Sequence, residues 1–167
     1  MTIRTGLGYD CHRLAADRRL ILGGVEIPSE LGLLGHSDAD VLTHAIIDSL
    51  LGAAALGDIG EHFPDTDERY RDADSIELLR ETVALVTGAG FEIVNVDATV
   101  MLERPKLAEY KRSMRERLSR ALGIDLGGVN VKATRGEGMG FVGRGEGAAS
   151  LAIATLRGDS GTSSASI

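Results

Sequence analysis

The chain has 167 residues, which fits one domain with a substantial buried core. Its net charge of −7 argues against a general nucleic-acid surface, and no stretch approaches the roughly 20 apolar residues of a membrane span. A single cysteine excludes an intrachain disulfide, and the N-terminus shows no signal-peptide pattern. We therefore expect a cytoplasmic protein that binds neither nucleic acid nor membrane.

The first half of the chain predicts two strands, a helix, a polar loop and a second helix. The strands cover residues 3–11 and 19–27, and the first helix covers 38–56. The polar loop covers 57–74, and the second helix 75–87. Ser37 or Asp38 is the expected N-cap of the first helix. The loop is rich in Asp, and loops of this length in compact domains are commonly lids, binding loops or disordered segments.

The second half predicts a strand, a helix that begins at Pro105, another strand, a Gly-rich segment and a final apolar segment. The two strands cover residues 91–103 and 129–134, and the helix covers 105–122. The Gly-rich segment covers 135–147, and the final apolar segment 148–156. The final segment fits either strand or helix, and its short alternating pattern favours a strand. Residues 158–167 predict a disordered tail after a domain of residues 1–157. The interleaved elements predict an α/β or α+β fold, with helices on one face of a single-layer sheet.

Asp10 and His12 stand two residues apart in the first predicted strand, and His44 lies in the first predicted helix. Alternate residues of a strand point to one face, so Asp10 and His12 can aim at one point while Cys11 aims away. One carboxylate and two imidazoles suit Zn²⁺, with a fourth position open for water or a substrate oxygen. The same spacing also fits two surface polar residues on an edge strand.

Residues 35–38 lie at the start of that helix, where free N–H groups and the helix dipole favour an anion such as phosphate. An ordinary Ser or Asp cap is the simpler explanation of this segment taken alone. Asp40 and Asp48 are each four residues from His44. They could orient its second ring nitrogen, or they could be solvated helix surface.

Two further segments carry residues suited to a phosphorylated ligand. Asp58 could accept hydrogen bonds from substrate hydroxyls, and residues 63–67 could fold over a ligand or form only a polar turn. Backbone amides and Arg135 at the start of the Gly-rich segment can hold phosphate, and Glu137 can hold Mg²⁺ or Mn²⁺. Neither a dinucleotide-binding fingerprint nor a P-loop sequence occurs.

Several motifs along the chain occur in one combination. They are GYDCH at 8–12, HSDAD at 36–40 with His44 after it, GAAALGDIG at 52–60, FPDTD at 63–67, NVKAT at 130–134 and GRGEG at 143–147. From about Ile3 to Leu156 the chain resembles the 2-C-methyl-D-erythritol 2,4-cyclodiphosphate synthase family.

The resemblance implies an enzyme of the non-mevalonate route to isoprenoid precursors, a phosphorus–oxygen lyase. Members of the family convert 4-diphosphocytidyl-2-C-methyl-D-erythritol 2-phosphate to the cyclic diphosphate and release CMP by metal-assisted intramolecular phosphoryl transfer. The resemblance also implies ferredoxin-like α/β subunits that form a homotrimer. The sheets would face the threefold axis, and the active sites would lie between neighbouring subunits.

The resemblance further implies a role for each matching residue. Asp10, His12 and His44 would bind one Zn²⁺ per subunit, and Glu137 would bind the second divalent ion, Mg²⁺ or Mn²⁺. The expected contacts to the methylerythritol phosphate part and its phosphates are Asp10, His12, His36, Ser37, Asp58, Ile59, Gly60, Phe63, Asp65 and Asp67. The expected contacts to the cytidine diphosphate part, from the adjacent subunit, are Leu102, Pro105, Lys106, Leu107, Ala108, Ala133, Thr134, Arg135 and Glu137. Phe141 and Arg144 would lie deeper, toward the trimer axis.

Arg135 departs from the family pattern, which usually has a second threonine after Thr134. His36 and Arg135 are the candidate catalytic residues, with His36 expected to stabilise the transition state. Arg135 could replace the contact of that threonine with a charge-assisted bond to the diphosphate, or it could pair with a carboxylate.

Two other functions are also compatible with these residues. One is a two-metal phosphohydrolase, which would release phosphate or CMP by attack of water. The other is a trimeric module that binds a metal or an isoprenoid diphosphate without turnover.

Overall fold

A five-stranded sheet is the framework of the computed structural model, which describes residues 1–158. Its strands, in spatial order, are β4 (Gly32–Leu34), β1 (Thr2–Ala15), β7 (Gly147–Gly158), β5 (Phe91–Met101) and β6 (Val129–Thr134). Only β5 and β6 are parallel neighbours, and the other pairs in this sheet are antiparallel. A separate hairpin pairs β2 (Leu20–Leu22) with β3 (Val25–Ile27).

Three long helices pack on one face of the main sheet: α1 (Val41–Ala54), α3 (Ser75–Gly88) and α4 (Lys111–Leu122). Two short helices are α2 (Ile59–His62), which contacts α1, and α5 (Gly140–Gly143), which contacts β7. α1 packs on β1 and β7, while α3 and α4 contact β5 and β6 respectively. Leu7, Tyr9 and Ile153 on the opposite face are 66%, 50% and 49% exposed. The structure confirms the predicted α/β class with a sheet and helices.

Two glycines in β1 allow α1 to lie directly against the sheet. A Cβ atom at Gly8 would lie 1.8 Å from the carbonyl oxygen of Ala45, and one at Gly6 would lie 2.1 Å from that of Ser49. Because only hydrogen fits at these positions, the backbones of strand and helix pack at close range. This contact places the first turns of α1 beside the strand residues of the predicted metal site.

The structure corrects the prediction of one strand over residues 19–27, which form the β2–β3 hairpin. Gly23 and Gly24 have φ angles of +58° and +70°, the left-handed conformation that a two-residue hairpin turn requires. β4 lies outside the predicted strands and pairs with the end of β1, which continues to Ala15. The predicted final strand is confirmed as β7.

Two predicted helix starts are also wrong. α1 begins at Val41 because the Asp40 side chain caps it by accepting from the amide of Thr43. α4 begins at Lys111 rather than Pro105, since residues 103–110 form bends and a turn that bury Leu107 in the core. The predicted loop at 57–74 contains α2 and a 3₁₀ turn at Glu68–Tyr70.

The core fills the space between the sheet and the helices with aliphatic side chains. Fully buried members include Leu22, Leu42, Ile46, Leu50, Leu79 and Leu156. Within residues 1–158, no helix combines the length and the apolar character needed to cross a membrane. Gly158 ends β7, and the rest of the predicted tail, 159–167, lies outside the described residues.

Candidate active site

Asp10, His12 and His44 meet at one point. The Oδ2 atom of Asp10 lies 3.0 Å from both His12 Nε2 and His44 Nδ1, and the two ring nitrogens are 3.3 Å apart. β1 supplies two of these side chains from one face and α1 supplies the third, while Cys11 is exposed on the other face. The predicted convergence of the three side chains is therefore confirmed.

The spacing of these three atoms fits a divalent cation. Zinc bonds of about 2.0–2.1 Å in a tetrahedral site place ligand atoms roughly 3.3 Å apart. The observed separations of 3.0–3.3 Å agree with that value. A carboxylate with two imidazoles leaves the fourth tetrahedral position for an exogenous oxygen. The donor set and its geometry thus fit the zinc site expected from the sequence.

The charges at this point also favour a cation. Burial by itself raises the pKa of Asp10, but the hydrogen bonds from His12 and His44 outweigh burial and lower this pKa to about 2. Burial lowers the pKa of His44, and the hydrogen bond with Asp10 more than compensates, so this pKa is raised. The low pKa keeps the Asp10 carboxylate ionised near neutral pH, and a metal ion bound there would displace any proton on the ring nitrogens that face it.

The second ring nitrogen of His44 is held by two serines. Nε2 lies 2.8 Å from the Ser75 hydroxyl oxygen and 3.2 Å from that of Ser37. The Ser75 hydroxyl donates in turn to Asp38, and the Ser75 amide donates to the other carboxylate oxygen of Asp38 at 3.0 Å. Ser75, which is the first residue of α3, is fully buried. These contacts join the metal ligand on α1 to the start of α3.

Asp40 and Asp48 take neither of the two roles considered for them, because they do not bond to His44 and neither is solvated surface: Asp40 is fully buried and Asp48 part-buried. Asp40 accepts from the two glycine amides of the β2–β3 turn, at 2.9 and 2.7 Å, and from both donors of Thr43. Asp48 accepts from the amide of Ile59 at 2.8 Å. Both carboxylates lie on the side of α1 expected from the spacing, but nearer donors already use them. At the start of α1 the Thr43 amide is capped by Asp40, and phosphate binding by residues 35–38 stays a prediction.

A cleft of about 490 Å³ opens beside the three ligands. Its lining residues are Asp10, His12, Gly35, His36, Ser37, His44, Ile59, Gly60, Phe63, Pro64, Asp65, Tyr70 and Leu78. The cleft therefore brings together most residues expected at the methylerythritol phosphate part. The His36 Nε2 atom donates to the carbonyl oxygen of Asp67 at 3.3 Å, which orients the ring.

Two residues expected in this group lie beside the cleft rather than in its lining. Asp58 caps α2 by accepting from the amide of Glu61, and its side chain is exposed. The Asp67 carboxylate pairs with Arg69 at 2.6 Å. Binding roles for both residues stay predictions.

Sequence reasoning missed three residues of this region. Tyr70 lines the cleft and makes an edge-on contact with Phe63, with ring centroids 5.5 Å apart. Leu78 supplies part of the apolar lining, and Ser75 holds His44. An aromatic residue within an expected binding loop is a usable sequence signal for Tyr70. The role of Ser75 depends on packing between helices, for which the sequence offers no local signal.

A second cleft, of about 560 Å³, holds part of the group expected at the cytidine diphosphate. Its lining residues are Leu14, Ser29, Glu30, Leu31, Glu103, Arg104, Pro105, Lys106 and Arg135. Leu102 and Leu107 of that group are buried in the core, at 3% and 5% exposure. Among the residues that the structure describes, the linings of the two clefts share no member.

Arg135 pairs with a carboxylate in this structure. Its guanidinium donates to Glu103 Oε1 at 2.8 Å, and Glu103 Oε2 accepts from the amide of Gly136 at 2.9 Å. The hydrogen bond from Arg135 lowers the pKa of Glu103, against a smaller opposing effect of desolvation. Arg135 was expected either to bond to the diphosphate or to pair with a carboxylate. Within the single chain it pairs with the carboxylate of Glu103.

The remaining predicted residues lie in a turn, at the end of a strand, in a short helix or beside it. Ala108 lies in the turn before α4, and Ala133 and Thr134 end β6. Glu137 is exposed and has a φ of +51°. Phe141 lies on α5 with 37% of its surface exposed, and the Arg144 guanidinium pairs with Glu146 at 2.7 Å.

The chain is an α/β protein in which three side chains able to hold a metal ion line one cleft. A family model described as the YgbB family matches residues 3–157. The chain belongs to this family, that of the 2-C-methyl-D-erythritol 2,4-cyclodiphosphate synthases. Membership confirms the predicted family, the predicted reaction and the assignment as an enzyme of the lyase class.

Two relatives illustrate the sequence similarity. The 2-C-methyl-D-erythritol 2,4-cyclodiphosphate synthase of Alkaliphilus oremlandii (strain OhILAs) is 59% identical over 154 residues, which cover 92% of this chain and 98% of that protein. The enzyme of the same name from Clostridioides difficile (strain 630) is 56% identical, with 92% and 96% covered.

Solved structures extend the similarity to the fold. The bifunctional IspDF of Campylobacter jejuni has a TM-score of 0.91 at 45% identity; the match covers 95% of this chain and 43% of that longer chain. A Plasmodium falciparum IspF in complex with CDP has a TM-score of 0.82 at 32% identity, with 94% and 97% covered.

Proposed function

We propose that the cleft beside Asp10, His12 and His44 binds the methylerythritol end of 4-diphosphocytidyl-2-C-methyl-D-erythritol 2-phosphate. A neighbouring subunit would hold the cytidine diphosphate end through residues 103–108 and 133–137. The observation that carries this proposal is the ligand triad at tetrahedral spacing within a cleft of a chain of this family. The CDP complex of a related structure supports a nucleotide ligand for the second region.

The reaction forms one phosphorus–oxygen bond and breaks another. An oxygen of the substrate's 2-phosphate attacks the β-phosphorus, and the bond from that phosphorus to the CMP oxygen breaks, so the ring closes as CMP leaves. A phosphate is already a competent nucleophile, so no strong general base is required. Because both reacting groups are anions, catalysis depends on positioning and on charge neutralisation.

The metal ions fit into this proposal through named ligands. Asp10, His12 and His44 would hold Zn²⁺ and Glu137 would hold Mg²⁺ or Mn²⁺; bound cations of this kind polarise phosphate oxygens and neutralise a leaving group. The chain's own donors act beside them. His36 and Ser37 line the same cleft, where their polar hydrogens can stabilise phosphate oxygens.

Residues between α1 and α3 would exclude water from the reaction. Ile59, Gly60, Phe63 and Asp65 line one side of the cleft, and the buried Phe63 side chain is braced by Tyr70. Excluding water matters here because attack of water on the β-phosphorus would release a linear product. We therefore assign the lid role to the segment around residues 63–67.

We further propose the homotrimer, with ferredoxin-like subunits whose sheets face the threefold axis. The uncovered face of β1 and β7 carries a contiguous apolar surface, because Leu7 lies opposite Ile153 and Tyr9 opposite Leu151. Each of these side chains is 39–66% exposed in the single chain. Contiguous apolar surface of this kind is typical of interfaces. The separate linings of the two clefts also suit a site completed between subunits.

Product analysis tests the proposed function. Purified protein supplied with the cytidyl substrate, Zn²⁺ and Mg²⁺ should release CMP and the cyclic diphosphate in equal amounts, as measured by mass spectrometry. A linear phosphate product would instead establish the phosphohydrolase. Binding without turnover would establish the binding module. Omission of Mg²⁺ shows whether the second ion is required. We also propose a cytoplasmic location, because a chain with a single cysteine forms no intrachain disulfide and so suits a reducing compartment.

A further inference from the structure

The hydrogen bonds around Ser75 have a fixed direction. The Ser75 hydroxyl contacts two groups, the carboxylate of Asp38 and the Nε2 atom of His44 at 2.8 Å. A carboxylate accepts, and a hydroxyl has one proton, so the Ser75 proton goes to Asp38. The Ser75 oxygen must then accept from His44, which places a proton on Nε2.

The position of this proton decides whether His44 can bind a metal. A neutral imidazole has one N–H, and two acceptors compete for it in this structure. Asp10, 3.0 Å from Nδ1, favours the proton on Nδ1, where it would block the lone pair. Ser75, on the opposite side of the ring, favours the proton on Nε2. The lone pair of Nδ1 is then free to face Asp10 and His12.

Ser75 is better placed for this role than Ser37. The Ser37 oxygen is farther from Nε2, at 3.2 Å, and it also receives the amide of Ala39 at 3.3 Å. Ser75 is fully buried, and its amide and hydroxyl both bind Asp38. Two contacts to one carboxylate fix the direction of the Ser75 hydroxyl more firmly than a single contact does.

We propose that Ser75, braced by Asp38, is a positioning residue that holds the proton of His44 on Nε2 and so presents Nδ1 as the metal ligand. The inference rests on the proposed zinc site. Outer partners of a ligating histidine commonly change metal affinity by about 10–100-fold when removed. Ser75 touches neither substrate nor metal in this proposal and acts only through His44.

The first test measures zinc affinity by competition with a chromophoric chelator. We expect Ser75→Ala to bind zinc about 10–100-fold more weakly than the native protein. Ser75→Thr, which keeps the hydroxyl, should recover most of the affinity. Ser49→Ala is the matched control, since Ser49 is a fully buried serine on α1 whose hydroxyl bonds only to the Ile46 carbonyl in the described structure. Circular dichroism establishes that each variant is folded.

The second test needs no variant. In the zinc-bound native protein, ¹⁵N NMR of the histidine rings should show His44 ligated through Nδ1, with a slowly exchanging proton on Nε2. Ligation through Nε2, or a folded Ser75→Ala with native zinc affinity, would overturn the inference and leave the zinc site intact. A native protein that binds no zinc would overturn both this inference and the proposed metal site. If Ser75→Ala does not fold, the NMR result decides.

Discussion

Two regions differ in how the chain supports them. The metal cleft is the cleft beside Asp10, His12 and His44, and the cytidine-side region is residues 103–108 and 133–137. Of the three candidate metal ligands, Asp10 and His12 are part-buried and His44 is buried, and each is fixed by contacts from a second element. In the cytidine-side region, Arg135 is 46% exposed and its partner contact is a surface ion pair. Exposed pairs of this kind contribute little rigidity. One chain is therefore sufficient to shape the metal cleft, whereas in our proposal a neighbouring subunit completes the other region.

Among the substitutions that test this comparison, His44→Ala should have the largest effect on zinc content and turnover. The variant loses one of three zinc ligands, so we expect loss of bound zinc and a fall in turnover of about 10³-fold, equivalent to several kcal/mol of lost charge stabilisation. Metal analysis and a CMP-release assay measure both. His62→Gln is the control for zinc content, because His62 bonds the Leu56 carbonyl outside the metal site. A His44→Ala variant that keeps its zinc would remove His44 from the ligand set, and an active variant without zinc would show that turnover does not need the ion.

Leu7→Glu should separate the two regions. A charge on the uncovered sheet face should dissociate the proposed trimer, and we expect turnover to fall by about 100-fold or more because the two ends of the substrate would no longer be held together. Zinc content should persist, since the three ligands lie in one chain. Light scattering and metal analysis measure these outcomes. Leu85→Glu is the matched control: Leu85 is 39% exposed on α3, away from this face. Full activity in a monomeric Leu7→Glu would contradict the shared site.

Asp40→Ala should destabilise the support of the metal cleft. The substitution leaves buried amides of the β2–β3 turn and both donors of Thr43 without their carboxylate, so we expect a loss of about 3 kcal/mol in the free energy of unfolding. Urea unfolding of the metal-free protein measures it. Asp58→Ala removes an exposed N-cap and should cost less than about 1 kcal/mol. Equal losses for the two variants would contradict the importance of burial.

Glu137→Gln should act only on the cytidine-side region. Replacing a carboxylate with an amide weakens a site for a hard cation, so the Mg²⁺ or Mn²⁺ concentration for half-maximal turnover should rise about tenfold. Zinc content should not change. Glu109→Gln, at another exposed carboxylate, is the control. An unchanged metal requirement in Glu137→Gln would exclude Glu137 as the second site.

Arg135→Thr should have the smallest effect. Because Arg135 is exposed and already paired with Glu103, we expect kcat and KM for the cytidyl substrate to stay within about threefold of native values. Steady-state kinetics measure both. A fall in kcat of about 100-fold would instead establish a direct contact of Arg135 with the diphosphate.

The sequence was sufficient for the parts of the site that follow from local periodicity. Alternation along β1 placed Asp10 and His12 on one face, and the helical pattern placed His44 nearby. The same reasoning failed for Asp40, because helical spacing gives a shared side but not the donor that a carboxylate finds. Ser75 reaches His44 only through packing of α3 against α1, which no local pattern encodes.

Gly8 has a consequence for catalysis although it carries no side chain. A methyl group there would force the Ala45 carbonyl, and the helix that holds it, outward by at least about 1 Å. Metal–ligand distances tolerate changes of only about 0.2 Å. The distance that a cation must bridge is thus set by the main chain, and a methyl group at Gly8, against the carbonyl of the residue after His44, would move His44 away from Asp10 and His12.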